Sequence, residues 1–273
     1  MKAPFWYDGR LFDGDELEGA ALPFDTVGLR FGASVFTTLR VYDQDLTHPM
    51  TLWQGHCDRL TQSLLYFNWP QPNWTSIYKG AKQLEARYPV LRITVFPDGK
   101  AWISGRDLPP QLRQQQSRGV TSWLAPSEYL RSFPTHKTGN YLACWQARQQ
   151  AQRFGAQEAI LQNGSEWLET ATGNLWGYAQ GQWWTPLQKQ CLPGLMRKHL
   201  RSLLNAQGQD VKGLPWTRDV VEEFDAIAYS NCVVGLLPIH TILDGDTKLR
   251  YNVQNASLKA LQQQLAGLTR EGR

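Results

Sequence analysis

The residues with the clearest potential for chemistry are Lys137, Glu169 and a glycine-led turn at Gly194. A lysine amine is a nucleophile and a base once it loses its proton, and burial lowers the pKa of its ammonium form. Gly194 stands just before a predicted helix, whose free backbone N–H groups and positive dipole end favour an anion. Glycine also permits an anion to approach the backbone closely. The chain therefore combines an amine, a carboxylate and an anion-binding turn.

The order of these motifs resembles the class IV (fold type IV) pyridoxal-phosphate enzymes. Lys137 stands in Thr-His-Lys-Thr-Gly-Asn-Tyr, Glu169 in Trp-Leu-Glu-Thr-Ala-Thr-Gly-Asn-Leu and Gly194 in Leu-Pro-Gly-Leu-Met-Arg. The resemblance runs from about residue 24 to about residue 239. The family holds the branched-chain and D-amino acid aminotransferases and aminodeoxychorismate lyase. It implies pyridoxal 5'-phosphate as cofactor and two α/β domains, as in D-amino acid aminotransferase, with the cofactor between them in a homodimer.

The resemblance assigns a role to each motif residue. Lys137 would form the Schiff base and move protons, and Glu169 would pair with the pyridine nitrogen to keep it protonated. Tyr141 would hydrogen-bond the hydroxyl of the cofactor ring, and Asn174 would order its loop. The neighbouring His136 is interpreted as structural, because adjacent residues on an extended chain point in opposite directions.

The resemblance also implies that two turns and one arginine bind the cofactor phosphate. The first turn consists of Gly194, Leu195 and Met196. Arg59 matches the arginine of the family's H-x-x-R-L motif, which pairs with the phosphate. Asn231 and Cys232 resemble the second phosphate loop. Many members have threonine where Cys232 stands, so the contact there is expected to come from the backbone.

Two details favour aminodeoxychorismate lyase within the family. The run Phe-Thr-Thr-Leu-Arg-Val, which contains Thr37 and Thr38, resembles the lyase, whereas aminotransferases often have Phe-Glu there. Met196 likewise stands where aminotransferases more often have threonine. The implied reaction converts 4-amino-4-deoxychorismate to 4-aminobenzoate and pyruvate, on the route to folate. The alternative is a branched-chain or D-amino acid aminotransferase, and a third hypothesis is a relative that binds the cofactor without catalysis.

The substrate is expected to be a small anionic molecule. Its candidate partners are two hydroxyl groups and three arginines, since the donor fork of an arginine matches a carboxylate. They are Thr37, Thr38, Arg40, Arg92 and Arg106. The segment 96–106 is shorter than the loop that helps to hold substrate carboxylates in many members of the family.

Apolar spacing and turn signals predict the elements that position these residues. Residues 35–42 are β-rich, and residues 53–67 have helical spacing that ends before two prolines. Residues 141–154 predict a helix closed by Gly155, and residues 195–206 predict another. The Asn163-Gly164 pair predicts a hairpin turn shortly before Glu169.

The proline-led polar stretch 107–116 is the linker candidate. It divides the chain into an N-terminal α/β domain of residues 1–108 and a C-terminal α/β domain of residues 117–273, which carries Lys137.

The amino-acid composition limits which classes of protein the chain can belong to. With 273 residues, 42% of them hydrophobic, the chain can bury a substantial core. A net charge of +4 without long basic runs argues against nucleic acid as a partner. No stretch approaches the ~18–20 apolar residues of a membrane helix. The four cysteines are widely spaced, which predicts reduced thiols in a cytoplasmic protein and no metal site.

Overall fold

The computed structural model describes residues 3–13 and 26–269, which form two β-sheets with flanking helices. Phe24, near which the resemblance begins, lies outside the described residues. None of the helices in the described ranges is long and apolar enough to cross a membrane.

The first sheet is antiparallel and has the strand order β2-β1-β5-β4-β3. Its strands are β1 (Phe5–Tyr7), β2 (Arg10–Phe12), β3 (Val35–Arg40), β4 (Val90–Val95) and β5 (Ala101–Arg106). The helices of this part of the chain are α1 (Val27–Phe31), α2 (Trp53–Tyr66) and α3 (Trp74–Glu85).

Side chains alternate along β3, which gives the first sheet two chemically different faces. Leu39 belongs to the buried apolar core, together with Leu60 of α2. Phe36 and Thr38 point to the opposite face, and Arg92 of β4 stands directly across from Thr38. The second face therefore combines an aromatic ring with polar and cationic groups.

The second sheet is mixed, with the strand order β11-β10-β9-β12-β13-β6-β7-β8, and β14 pairs with β13. Its strands are β6 (Val120–Leu124), β7 (Glu158–Gln162), β8 (Trp167–Thr170), β9 (Asn174–Ala179), β10 (Gln182–Pro186), β11 (Val211–Leu214), β12 (Ala226–Asn231), β13 (Gly235–Asp244) and β14 (Thr247–Arg250). The accompanying helices are α4 (Leu112–Arg118), α5 (Leu142–Arg153), α6 (Leu195–Ala206), α7 (Arg218–Glu222) and α8 (Ala256–Leu268).

The structure confirms the predicted elements around the motif residues. Strand β3 and helix α2 occupy the predicted ranges, and α6 spans the predicted residues. Gly155 follows α5 with a φ of 76°, the left-handed conformation expected of a closing glycine. Strands β7 and β8 form the predicted antiparallel hairpin, although Glu169 lies within β8 rather than after it.

The predicted linker is wrong over its second half, because residues 112–118 form helix α4. Leu112 is buried, and the Gln116 side chain donates to the carbonyl of Val234 over 3.0 Å. The run of glutamines resembles a linker in composition, but a single buried leucine and side-chain hydrogen bonds are enough to fix a short helix.

Contacts divide the described chain into two compact units. The first includes the residues up to Pro109 and the segment His136–Asn140, and the second comprises Pro110–Thr135 and Tyr141–Leu268. Lys137 therefore groups with the first unit and not with the part that follows the predicted linker. The reason is backbone pairing with β3, since Phe36 N donates to Lys137 O over 2.8 Å. The division into folding domains at residues 108 and 117 stays a prediction.

Candidate functional site

Lys137 lies on a short extended segment attached to β3. Thr138 forms a bridge with Val35, and Gly139 N donates to Ser34 O over 2.7 Å. A Cβ on Gly139 would stand 2.1 Å from Ser34 Oγ, so only glycine allows the segment to pair this closely. The glycine two residues after Lys137 thus fixes the backbone from which the lysine side chain extends.

The lysine amine lies against the ring of Phe36. Lys137 Nζ is 4.8 Å from the ring centroid, and Arg92 Cζ lies 3.6 Å from the same centroid. Both distances are within the range of cation–π attraction. The structure thus brings Lys137 and one of the three candidate arginines to a single aromatic ring.

The other candidate arginines lie elsewhere on the first unit. Arg40 has its guanidinium 4.5 Å from the ring of Tyr42. Arg106 is exposed and donates to the carbonyl of Asp107 over 3.3 Å. Of the three, Arg92 is the one that the structure places at the ring beside Lys137.

The two candidate threonines lie on opposite faces of the sheet. Thr38 is half-buried and pairs with Arg92 across the β3–β4 ladder. Thr37 is fully buried, and its hydroxyl accepts from Arg59 Nη2 over 2.6 Å and lies 2.5 Å from His56 Nδ1. Arg59 and His56 both belong to α2, so Thr37 faces the helix rather than the lysine.

His136 packs beside the lysine segment as a structural residue would. Its ring stacks on Tyr66 at 4.2 Å, and Nδ1 lies 3.0 Å from Ser63 Oγ. Burial lowers the pKa of His136. These contacts support the structural interpretation of this histidine.

Glu169 lies in the second unit as half of a buried ion pair that the sequence did not predict. Its Oε1 accepts from Arg131 Nε over 3.0 Å and from Arg131 Nη2 over 2.5 Å, while Oε2 accepts from Leu192 N over 3.0 Å. The two side chains are only 4% and 6% exposed. Burial by itself would lower the pKa of Arg131, but Glu169, Tyr141 and Cys144 together raise it, and the net shift is upward. Both carboxylate oxygens of Glu169 are therefore fixed by hydrogen-bond donors.

Tyr141 stands at the N-terminal end of α5, in the second unit. Its hydroxyl donates to the carbonyl of Ala171 over 2.8 Å. Burial, followed by the proximity of Cys144, raises the pKa of Tyr141 well above its ordinary value. The tyrosine is therefore a neutral hydroxyl whose orientation is set by a carbonyl two residues after Glu169.

The glycine-led turn is packed against Asn174. Asn174 Nδ2 donates to Leu192 O over 2.9 Å, so it orders the loop as predicted. Gly194 N-caps α6 with an ordinary φ of −67°, which any residue can adopt. A Cβ there would stand 1.9 Å from Asn174 Oδ1. Glycine is therefore needed at this position because any side chain would overlap Asn174. Leu195 and Met196 form the first turn of α6, and Met196 is buried.

Changing Gly194 to alanine is expected to destabilise the protein by about 1–3 kcal/mol, because the new methyl group overlaps Asn174. The free energy of unfolding in urea measures this effect. Gly267→Ala is the matched control, since a Cβ at Gly267 in α8 meets nothing within 4 Å. That control is expected to be neutral or stabilising by up to about 1 kcal/mol. Equal effects of the two changes would contradict the packing described at Gly194.

Asn231 uses its side chain to shape the turn after β12. Its Oδ1 accepts from Val233 N over 2.9 Å and from Val234 N over 3.0 Å, and its Nδ2 donates to Thr172 O over 3.2 Å. Cys232 is buried within this turn. The side chain of Asn231 thus holds the turn together, and a ligand contact from this loop stays a prediction.

Each unit by itself holds groups of the kind that a phosphorylated ring cofactor requires. The first unit carries the amine of Lys137, and the second carries the carboxylate of Glu169, which is fixed by donors, and the N-terminal end of α6 at Gly194. Within residues 3–13 and 26–269 no group of three histidine, cysteine or acidic side chains could hold a metal ion.

Comparison with known proteins identifies related chains. The family model described as amino-transferase class IV matches residues 34–242. A branched-chain-amino-acid aminotransferase of Pseudomonas aeruginosa is 25% identical over 262 residues, covering 87% of this chain and 84% of that protein. An aminodeoxychorismate lyase of Vibrio harveyi is 21% identical over 269 residues, covering 91% of this chain and 95% of that protein. Of seven curated relatives, six are branched-chain aminotransferases, five of which come from Escherichia coli and Salmonella.

Solved structures confirm the predicted fold. The PLP-bound form of a hypothetical aminotransferase from Mycobacterium tuberculosis has a TM-score of 0.80 at 19% identity, and the match covers 100% of both chains. Enzymes of class IV use pyridoxal 5'-phosphate, so the predicted cofactor is confirmed at the level of the family.

Proposed function

Because the chain belongs to the amino-transferase class IV family, we propose that it is a pyridoxal-phosphate enzyme in which Lys137 carries the cofactor and moves the protons of the reaction. The cofactor, when bound, withdraws electrons from the atoms next to the substrate nitrogen. Glu169, fixed by Arg131 and by Leu192 N, holds the proton on the ring nitrogen. Tyr141, whose hydroxyl proton is donated to Ala171 O, would accept a hydrogen bond from the ring hydroxyl of the cofactor.

The phosphate is proposed to bind to backbone and side-chain donors from several elements. The N-terminal end of α6, at Gly194, Leu195 and Met196, offers the backbone N–H groups of Leu195 and Met196 and the positive end of the helix dipole, while the N–H of Gly194 donates to Leu192 O over 2.8 Å. The guanidinium group of Arg59 adds positively charged N–H donors. The turn at Asn231 and Cys232 adds backbone contacts.

For the reaction itself we propose elimination from an anionic ring substrate, as catalysed by aminodeoxychorismate lyase. The observation that carries this choice is the sheet face beside Lys137. Thr38 and Arg92 stand side by side on it, and Arg92 shares the Phe36 ring with the lysine. A hydroxyl and a guanidinium suit carboxylates, and 4-amino-4-deoxychorismate carries two of them, whereas a branched-chain amino acid carries one and an aliphatic side chain that gains nothing from such groups.

In this proposal Arg92 and Thr38 orient a substrate carboxylate. The Lys137 amine removes the proton from the ring carbon beside the substrate nitrogen, and the enolpyruvyl group leaves as the ring becomes aromatic. Lys137 or water then returns a proton to the departing carbon. The products are 4-aminobenzoate and pyruvate, and no second substrate is consumed.

The second candidate is an aminotransferase for branched-chain amino acids, which the names of six of the seven curated relatives favour. Five of those six come from E. coli and Salmonella and so count as nearly one observation. Identities of 21–25% support a shared fold and cofactor, while the choice of reaction depends on the side chains of the site. The comparisons thus favour the aminotransferase, and the proposal of the lyase rests on the sheet face beside Lys137 alone.

A single-substrate assay distinguishes the two reactions. Purified enzyme is incubated with 4-amino-4-deoxychorismate without any keto acid, and release of 4-aminobenzoate and pyruvate is followed. The lyase releases both products for many turnovers, because elimination restores the cofactor in each cycle. An aminotransferase instead converts at most one equivalent of a branched-chain amino acid and resumes only when 2-oxoglutarate is added. The second pattern, without release of 4-aminobenzoate, would reject the lyase.

The assembly and the cellular location stay predictions. The family resemblance implies a homodimer, and light scattering after gel filtration measures the mass in solution. The expected location is the cytoplasm.

A further inference from the structure

A buried carboxyl group in the second unit has a role that the motifs do not assign. Glu158 begins strand β7 and is 2% exposed. An acidic side chain withdrawn from water is costly unless donors satisfy its oxygens. Two donors do so here, since Thr172 Oγ1 donates to Oε2 and Ala159 N donates to Oε1 over 3.0 Å. Glu158 therefore holds the hydroxyl of a residue in the loop that follows Glu169.

Thr172 carries this connection on to the turn after β12. Asn231 Nδ2 donates to Thr172 O over 3.2 Å and lies 3.4 Å from Thr172 Oγ1. The single proton of the threonine hydroxyl goes to Glu158, so its oxygen can only accept from Asn231. The other end of the Asn231 amide, Oδ1, accepts from the backbone N–H groups of Val233 and Val234. A carboxyl group, a hydroxyl and an amide thus form one chain, in which each hydrogen bond strengthens the next.

Close packing joins the same two segments. A Cβ on Gly173 would stand 2.3 Å from Ser230 O, so the loop lies directly against the end of β12. Trp176 Nε1 donates to Ser230 Oγ over 2.9 Å and fixes that end of the strand. Burial raises the pKa of Glu158, and the charge of Arg148 on α5 is the largest influence that opposes this shift. The loop 170–173 and the turn 231–234 therefore have one defined separation, and the chain from Glu158 helps to set it.

We propose that Glu158 and Thr172 are positioning residues for the cofactor phosphate, which hold the turn 231–234 through Asn231 at a fixed distance from the loop after Glu169. Glu169 is proposed to pair with the ring nitrogen and the turn to contact the phosphate, so the two segments serve different parts of one cofactor. A fixed separation lets both contacts form without reorganisation when the cofactor binds. The inference rests on the proposed contact between the phosphate and the turn at Asn231 and Cys232.

The test compares two ligands that differ only in the phosphate. The full-length protein, freed of cofactor, is titrated with pyridoxal phosphate and with pyridoxal, and the dissociation constant of pyridoxal is divided by that of pyridoxal phosphate. This ratio reports the contribution of the phosphate. Thr172→Val removes the hydroxyl at nearly constant shape and is expected to lower the ratio about three- to tenfold, the loss of one hydrogen bond. Thr172→Ser keeps the hydroxyl and is expected to keep the ratio.

Variants of Glu158 test the buried end of the chain. Glu158→Leu is expected to lower the ratio as much as Thr172→Val does, and Glu158→Gln, which keeps one acceptor oxygen, to retain most of it. The double variant Glu158→Leu/Thr172→Val is expected to lower the ratio no further than either single change, because both remove the same chain. Where Glu158→Leu fails to fold, Thr172→Val and Thr172→Ser give the same comparison at a position that is only partly buried.

Glu85→Leu is the matched control, because it also removes a buried acidic side chain. Glu85 lies in the first unit, where its Oε2 accepts from Leu46 N over 2.9 Å. The change is expected to lower the free energy of unfolding in urea and to leave the ratio within a factor of about two. A fall in the ratio as large as that of Glu158→Leu would show that the ratio follows stability alone, and it would overturn the inference.

Asn231→Ala separates the inference from the proposal beneath it. It is expected to lower the ratio by about tenfold, because it releases the turn from the loop. An unchanged ratio in this variant would overturn the phosphate role of the turn and the inference with it. A lowered ratio for Asn231→Ala, with wild-type ratios for Thr172→Val and Glu158→Leu, would overturn the inference alone. Equal weakening of both ligands by those two variants would also overturn it.

Discussion

Replacing Lys137 with alanine is expected to reduce turnover by at least about 10⁴-fold, because the variant loses both its nucleophile and its proton carrier. General acid–base catalysis alone accounts for about 10²–10⁴-fold, and covalent attachment of the cofactor adds to it. The measurement is product formation under saturating substrate and cofactor. The result holds for elimination and for transamination, since both depend on this amine.

Lys198→Ala is the matched control for this change, because Lys198 is an exposed lysine on α6. It is expected to leave turnover within a factor of about two, as surface substitutions have small effects. Substantial turnover in Lys137→Ala, with the control unaffected, would exclude Lys137 as the catalytic amine.

Replacing Arg131 with methionine is expected to destabilise the protein by about 3–5 kcal/mol, because the change leaves the carboxylate of Glu169 buried without its charged partner. Urea unfolding at neutral pH measures the loss. The double variant Arg131→Met/Glu169→Gln removes both charges, so its loss is expected to be smaller than the sum of the two single losses. Losses that simply add would contradict the pairing of these side chains.

An exposed ion pair provides the control for this comparison of single and double variants. Lys100 and Asp98 are paired at 3.1 Å on the surface of the first unit, with about half of each side chain exposed. Lys100→Met is expected to cost no more than about 1 kcal/mol.

The Glu169→Gln variant also bears on function. It is expected to impair elimination and transamination alike, because it removes the carboxylate proposed to hold the proton on the ring nitrogen.

Local patterns predicted most of the elements that carry the site. The β-rich run forms strand β3, and residues 53–67, which have helical spacing, form helix α2. The Asn163-Gly164 pair connects β7 and β8 in the predicted hairpin. These signals depend on residues that are only a few positions apart, so they can be recognised in the sequence itself. The glutamine-rich segment at α4 misled the prediction, because its helix depends on contacts with distant strands.

The pairs that fix the candidate site join distant parts of the chain. Arg131 and Glu169 are separated by 38 residues, and no periodicity links them. The opposite orientations of Thr37 and Thr38 follow from strand alternation, but the sequence does not show that Thr37 meets His56 and Arg59 on a helix. The need for glycine at position 194, before α6, likewise depends on Asn174 at the start of strand β9. Contacts of this kind can be identified only once the three-dimensional structure is known.

The covalent bond between the enzyme and its cofactor can be located directly. The holoenzyme is reduced with borohydride and digested, and the peptide that carries the reduced cofactor is sequenced by mass spectrometry. We expect one labelled peptide, with the cofactor on Lys137. A label on another lysine, or a protein that retains no cofactor after reduction, would exclude Lys137 as the residue that carries the cofactor.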